Sequence, residues 1–230
     1  MITRRSFAAL FALLASVFPA SALIVPFTED FTSSNASWAT GNSSVAAGWS
    51  PTGGVDDGGF ITSSGTVATS GFGAIVFRGN AATNASGGAF VGNWIGGGVT
   101  TFSAYVWHDA PVALNFYARL DAGAGRAGSS IDFSVPTSSW FQLEIPLVEA
   151  PTSFQSYGAG TFTSVFTNIQ NVQIALSTNQ TPGIVGQVVN VGLDRVSVVP
   201  EPSIWALLLF SVGCLVVSLL PRRATEAVRI

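Results

Sequence analysis

A chain of 230 residues has room for one domain plus targeting segments. Only 9% of it is charged, against ~25% in an average soluble domain, with no lysine and a formal net charge of −3. Residues 24–199 carry four arginines and ten acids, which excludes a nucleic-acid partner, because phosphate contacts need a basic patch. The one cysteine, Cys214, lies in an apolar tail, so the middle has neither a disulfide nor a thiol site and must rest on its own core.

Residues 1–22 read as a signal peptide. Arg4 and Arg5 give a basic start, Phe7 to Phe18 is an apolar run, and Ala20-Ser21-Ala22 is a cleavage pattern. The arginine pair also fits a weak twin-arginine signal. Residues 23–199 are the expected domain. Val25 to Phe31 opens it as an edge strand, and 32–71 is mostly Ser/Thr/Asn/Gly loop with Trp38, Trp49 and Phe60. Phe72 to Phe77 and Ala89 to Ile95 are short apolar runs, expected as strands.

Val99 to Trp107 alternates, with Phe102, Ala104 and Val106 on one side and Ser103, Tyr105 and Trp107 on the other. His108 to Pro111 is expected to turn the chain. Val112 to Leu120 keeps a period of two over nine residues, a half-buried strand. Ile131 to Val135 and Phe141 to Leu147 alternate too, and Pro146 marks the second as an edge or its end. Phe162, Val165, Phe166 and Ile169 suit one helical turn. Val172 to Leu176 and the β-branched Val188 to Val199 complete the series.

No sustained helical period occurs between the termini. The expectation is an all-β, antiparallel two-sheet sandwich, jelly-roll-like, its inner faces carrying the Phe116, Phe133, Phe141 and Ile174 rows. A β-solenoid is the alternative, and no 20–30-residue period supports it. Residues 200–230 form the tail. Ser203 to Leu220 is uncharged and apolar over 18 residues, expected as one transmembrane helix, and 221–230 is a basic end. Positive-inside bias puts Arg222 and Arg223 in the cytoplasm and the sandwich outside.

Pro200-Glu201-Pro202, the apolar span and Arg222-Arg223, in that order behind a signal peptide, resemble the sorting signal of PEP-CTERM exported proteins. That resemblance implies Pro200, Glu201, Pro202, Arg222 and Arg223 as the signal, and an exosortase-like protease as partner. The middle resembles galactose-binding-like, carbohydrate-binding-module sandwiches, through Trp140 to Leu147 (a W-x-x-x-x-I-P-L strand), Ile169 to Leu176 and Gly192 to Val198. In such folds an early and a late acid often hold a structural calcium, which implies Glu29, Asp30 and Asp194 as its ligands.

Tyr105, Trp107 and Tyr117 lie on the polar sides of their strands and are the candidate ligand-binding residues for a polysaccharide; Trp94 and Trp49 are weaker ones. His108 has no second histidine or cysteine for a metal, and Asp109 beside it faces the other way along a strand, which leaves it a turn residue. No pair of carboxylates is singled out for glycoside hydrolysis. The expected function is therefore an exported, envelope-sorted, non-catalytic protein, structural or adhesive in an extracellular polysaccharide matrix, membrane-anchored or released after processing. The alternatives are a secreted glycan or ester hydrolase, and a membrane-tethered surface protein that is never processed.

Overall fold

The computed structural model describes residues 23–41, 45–68 and 75–200. Fourteen strands are found there: β1 (Phe27–Glu29), β2 (Ala39–Thr40), β3 (Val45–Ala46), β4 (Gly48–Ser50), β5 (Phe60–Thr66), β6 (Val76–Asn80), β7 (Val99–His108), β8 (Leu114–Asp121), β9 (Arg126–Ser130), β10 (Phe133–Val135), β11 (Phe141–Pro146), β12 (Phe154–Gly158), β13 (Asn171–Leu176) and β14 (Val188–Pro200). One short α-helix, α1 (Phe162–Phe166), precedes β13, and three 3-10 turns lie earlier among the described residues. Thr161 and Ser164 close it with a reciprocal capping box, which satisfies donors at the helix start that would otherwise be free.

The strands form two sheets, and all pairs between them are antiparallel. The six-stranded sheet runs β11-β7-β14-β5-β4, with β1 also on β14. The eight-stranded sheet runs β12-β9-β8-β13-β6-β2-β3, with β10 also on β8. The two-sheet antiparallel sandwich expected from the alternating runs is what forms. Pro146 ends the edge strand β11, as its missing N–H requires.

The core is what the period of two selects. Phe102, Ala104 and Val106 of β7 face Leu114, Phe116, Ala118 and Leu120 of β8 across the interior, all essentially buried. Val191, Leu193, Val196 and Val198 of β14 join them. Between Asp194 and Ser197 the pairing of β14 with β7 shifts register, and Arg195 takes a left-handed φ of 46°. This bulge keeps both Leu193 and Val196 inward while turning Asp194 to the outer side.

Three expectations are corrected here. The run Ala89 to Ile95 is no strand. Phe90 and Trp94 in it plug one end of the core, and Trp94 packs on Phe102 and Phe166 with its indole N–H donating to the Phe90 carbonyl at 2.8 Å. A short apolar run cannot by period alone be told from a buried loop. His108 is not a turn residue but the buried end of β7, its ring 6.0 Å from that of Phe116. The transmembrane helix is not part of the architecture supported here. No helix among the described residues is long and apolar enough to cross a membrane, and the expected span at 203–220 lies outside them. The signal peptide expected at 1–22, and Glu201, Pro202, Arg222 and Arg223 of the sorting signal, also lie outside the described residues, while Pro200 is the last residue of β14.

Candidate functional site

The three aromatics chosen as ligand-binding residues do not share a face. Tyr105 and Trp107, two apart on β7, project from the outer side of the six-stranded sheet. Tyr117, on β8, projects from the outer side of the other sheet.

Around Tyr117 the strand registers build a grid. One row across the strands is Arg78, Gln173, Arg119, Ser129 and Gln155. The next is Asn80, Asn171, Asp121, Ala127 and Tyr157. Tyr117 lies beyond the first row, opposite Ala175. Five strands at ~4.8 Å spacing make each row ~20 Å long, the dimension of a short oligosaccharide rather than of one sugar.

Within the grid Arg119 is tightly held. Its guanidinium meets the Asp121 carboxylate at 2.6 Å, its Nε–H donates to the Tyr157 hydroxyl at 2.5 Å, and its Cζ lies 5.9 Å from the Tyr157 ring centre. The Nε–H of Arg78 donates to the Gly41 carbonyl. Burial pulls the Arg78 pKa below the ordinary guanidinium value and the Arg119 charge adds to this; Tyr117 and Asp121 oppose it. Burial, with Tyr157 next, pushes the Tyr117 phenol above 10.0, so its hydroxyl stays a donor at neutral pH. Gln173, between the two arginines, is 1% exposed, and among the described residues its Nε2 has no hydrogen-bond partner; Asn171 Oδ1 on the same strand has none there either. Each such orphan costs about 1–3 kcal/mol of desolvation. Sequence reading named Tyr117 and missed Arg78, Gln173 and Tyr157, because they come from strands that only the register brings beside it.

On the other sheet, Asp194 sits buried on the outer side of β14. Its two oxygens accept the Val55 N–H at 2.8 Å and the Arg195 N–H at 2.7 Å. Burial pushes its pKa up to about 6, against the opposing pull of those hydrogen bonds and of Arg195, while Asp30 nearby raises it further. Arg195 also pairs with Asp56. The first and last strands do pair, Glu29 opposite Val196. Glu29 accepts the Phe31 N–H at 3.1 Å and Asp30 the Thr32 N–H at 3.3 Å, so both acids are engaged in their own turn. Among the described residues no group of three or more acidic, histidine or cysteine side chains could hold a metal, short of the six to eight oxygens that calcium takes. The weaker candidates also resolve: Trp94 is core, and the Trp49 indole donates to the Phe31 carbonyl at 2.7 Å.

No family profile matches the chain, and no curated protein does. Solved structures do match in fold. The CBM22-1–GH10 modules of endo-1,4-β-D-xylanase 10B from Clostridium thermocellum match at 13% identity and a TM-score of 0.49, over 76% of this chain and 28% of that one. An exo-β-agarase matches at 7% and 0.49, over 76% and 25%. The family 11 carbohydrate-binding module of a Clostridium thermocellum cellulosomal cellulase matches at 15% and 0.47, over 78% and 97%. The chain thus spans about a quarter of the xylanase and agarase chains, and the likeness is one of sandwich fold alone.

These findings correct the functional expectations. The flat exclusion of enzymatic activity and the purely structural or adhesive role are not carried forward, since the likeness reaches the sandwich fold and neither role. Without a spanning helix among the described residues, membrane anchoring, exosortase processing and placement in the envelope are not carried forward.

Proposed function

We propose that this chain is a glycan-acting module that holds a polysaccharide across the outer face of its eight-stranded sheet. The observation that carries this reading is the row Arg78–Gln173–Arg119, which sets two guanidinium groups on one outer sheet face beside Tyr117 and Tyr157. Guanidinium forks donate to sugar hydroxyls and carboxylates alike, Asp121 accepts, and the rings of Tyr117 and Tyr157 give flat faces for the apolar side of a pyranose.

The test is calorimetric titration of the full chain with agarose oligosaccharides, xylohexaose and a β-1,3-1,4-linked tetrasaccharide. Binding by at least one, weakened about tenfold by Tyr157→Ala and by Arg78→Ala, is the expected result. Binding by none, or binding that both variants leave unchanged, overturns the reading. Release of reducing ends from the same panel separates a module that only binds from one that also cleaves.

A further inference from the structure

A cavity of ≈ 530 Å³ lies on the outer side of the six-stranded sheet, where Thr40 of β2 and Val45 and Ala46 of β3, from the other sheet, close one side of it. That volume falls in the range of small-molecule sites. Its floor follows from the registers. Gly48, Thr62, Gly192 and Trp107 stand in one row across β4, β5, β14 and β7. Two of the four have no side chain, so the Thr62 hydroxyl can lean over Gly48 and neighbouring rings can lie over Gly192. The neighbouring row brings Ser64 beside Asn190.

The walls are held from behind. A Cβ on Gly192 would lie 2.9 Å from the Trp140 ring and 3.0 Å from that of Phe60, so glycine here lets both rings settle onto the sheet. Phe60 and Trp140 meet edge to face at 5.3 Å, and the Trp140 indole donates to the Gly53 carbonyl at 3.0 Å. Phe60 therefore presents to the cavity a ring whose other contacts are already made. Asn190 is fixed likewise: its backbone N–H donates to one Asp109 oxygen at 2.8 Å and its side-chain Nδ2 to the other at 2.5 Å. One N–H of the amide is thus committed, which fixes the amide's orientation and leaves its oxygen as an acceptor. Preorganised walls reduce the ordering cost of binding.

The lining combines two aromatic rings, hydroxyls and an amide oxygen, and none of its side chains is charged. We propose that this cavity is a second sugar site, taking one neutral pyranose, with its apolar face on Trp107 or Phe60 and its hydroxyls on Thr62, Ser64 and Asn190. An anionic sugar finds no cation there, and desolvating its carboxylate is costly. The site shares no residue with the arginine row, so it stands or falls independently of the polysaccharide reading.

The experiment is an NMR titration of the full chain with methyl glycosides of glucose, galactose and xylose, and with glucuronate. At millimolar concentration at least one neutral glycoside should shift the Trp107 indole and Asn190 amide signals. Glucuronate should bind about tenfold more weakly. Trp107→Ala should abolish the shift of the Asn190 amide and, as a smaller change that leaves the aromatic walls in place, Asn190→Ala that of the Trp107 indole, while Tyr157→Ala should leave both unchanged. The absence of shifts with every neutral glycoside overturns the proposal. So do shifts that persist in both cavity variants, or equal binding of glucuronate.

Discussion

Two buried residues give the protein opposite responses to acid. Asp194 is 1% exposed with its pKa at about 6 in place of 3.8. The unfolded chain releases this proton first, so the residue favours the fold most below pH 3.8. Its contribution falls as pH rises from there to about 6, by on the order of 3 kcal/mol, and is level above. His108 works the other way. Burial lowers its pKa below 6.5, and its Nε2–H donates to the Val135 carbonyl at 3.0 Å while Nδ1 has no partner among the described residues. The unfolded chain takes up this proton first, so the stability contribution of His108 is present above pH 6.5 and is lost as pH falls. Denaturant melts of the wild type, Asp194→Asn and His108→Gln between pH 4 and 7 should separate the two. Asp194→Asn should remove a loss of stability on raising pH, and His108→Gln a loss on lowering it. Identical pH slopes in all three proteins would count against both assignments.

At the scale of elements, the corner of β9, β12 and α1 depends on one missing side chain. Gly128 faces the ring of Phe154 so closely that a Cβ would overlap it. Phe154 in turn packs on Phe166 at 4.8 Å and Phe162 at 6.3 Å. The ring is fully buried and pinned on its far side, so it cannot swing away. Gly128→Ala should cost about 1–3 kcal/mol, seen as a lower urea midpoint at unchanged slope. Adding Phe154→Leu should recover part of that loss, because it makes room for the new methyl. A double variant no more stable than Gly128→Ala alone would show that the strain lies elsewhere. The single turn α1 was readable in advance from Phe162, Val165 and Phe166. The glycine that seats it was not, since Gly128 and Phe154 become neighbours only through the pairing of β12 with β9.

For the whole molecule, β14 is the member on which the rest depends. It has 13 residues and pairs with β1, β5 and β7, so the six-stranded sheet is assembled around the last strand to be made. Such long-range pairing cannot begin until the chain is nearly complete. Residues 23–200 should unfold in one cooperative transition, followed by circular dichroism. The same chain ended at residue 187 should show no transition, because β7 and β5 would then lose the strand between them. A folded 23–187 would refute this account of the topology.

The sequence by itself determined which residues face inward. A period of two over β7 and β8 can be read without a structure because successive side chains on a strand point to opposite faces. It also determined the class, since no helical period competes between the termini, and the edge position of β11, since proline lacks a donor. Which strands become neighbours was decided only by the tertiary structure. Tyr105, Trp107 and Tyr117 looked alike in the sequence, each an aromatic on a polar strand face, yet β7 and β8 belong to different sheets and send them to opposite sides. Arg78, Gln173 and Arg119 are 41 or more residues apart and become one row through hydrogen-bond register. Alternation along a strand is a local property of the backbone, whereas adjacency across strands depends on the packing of the whole core.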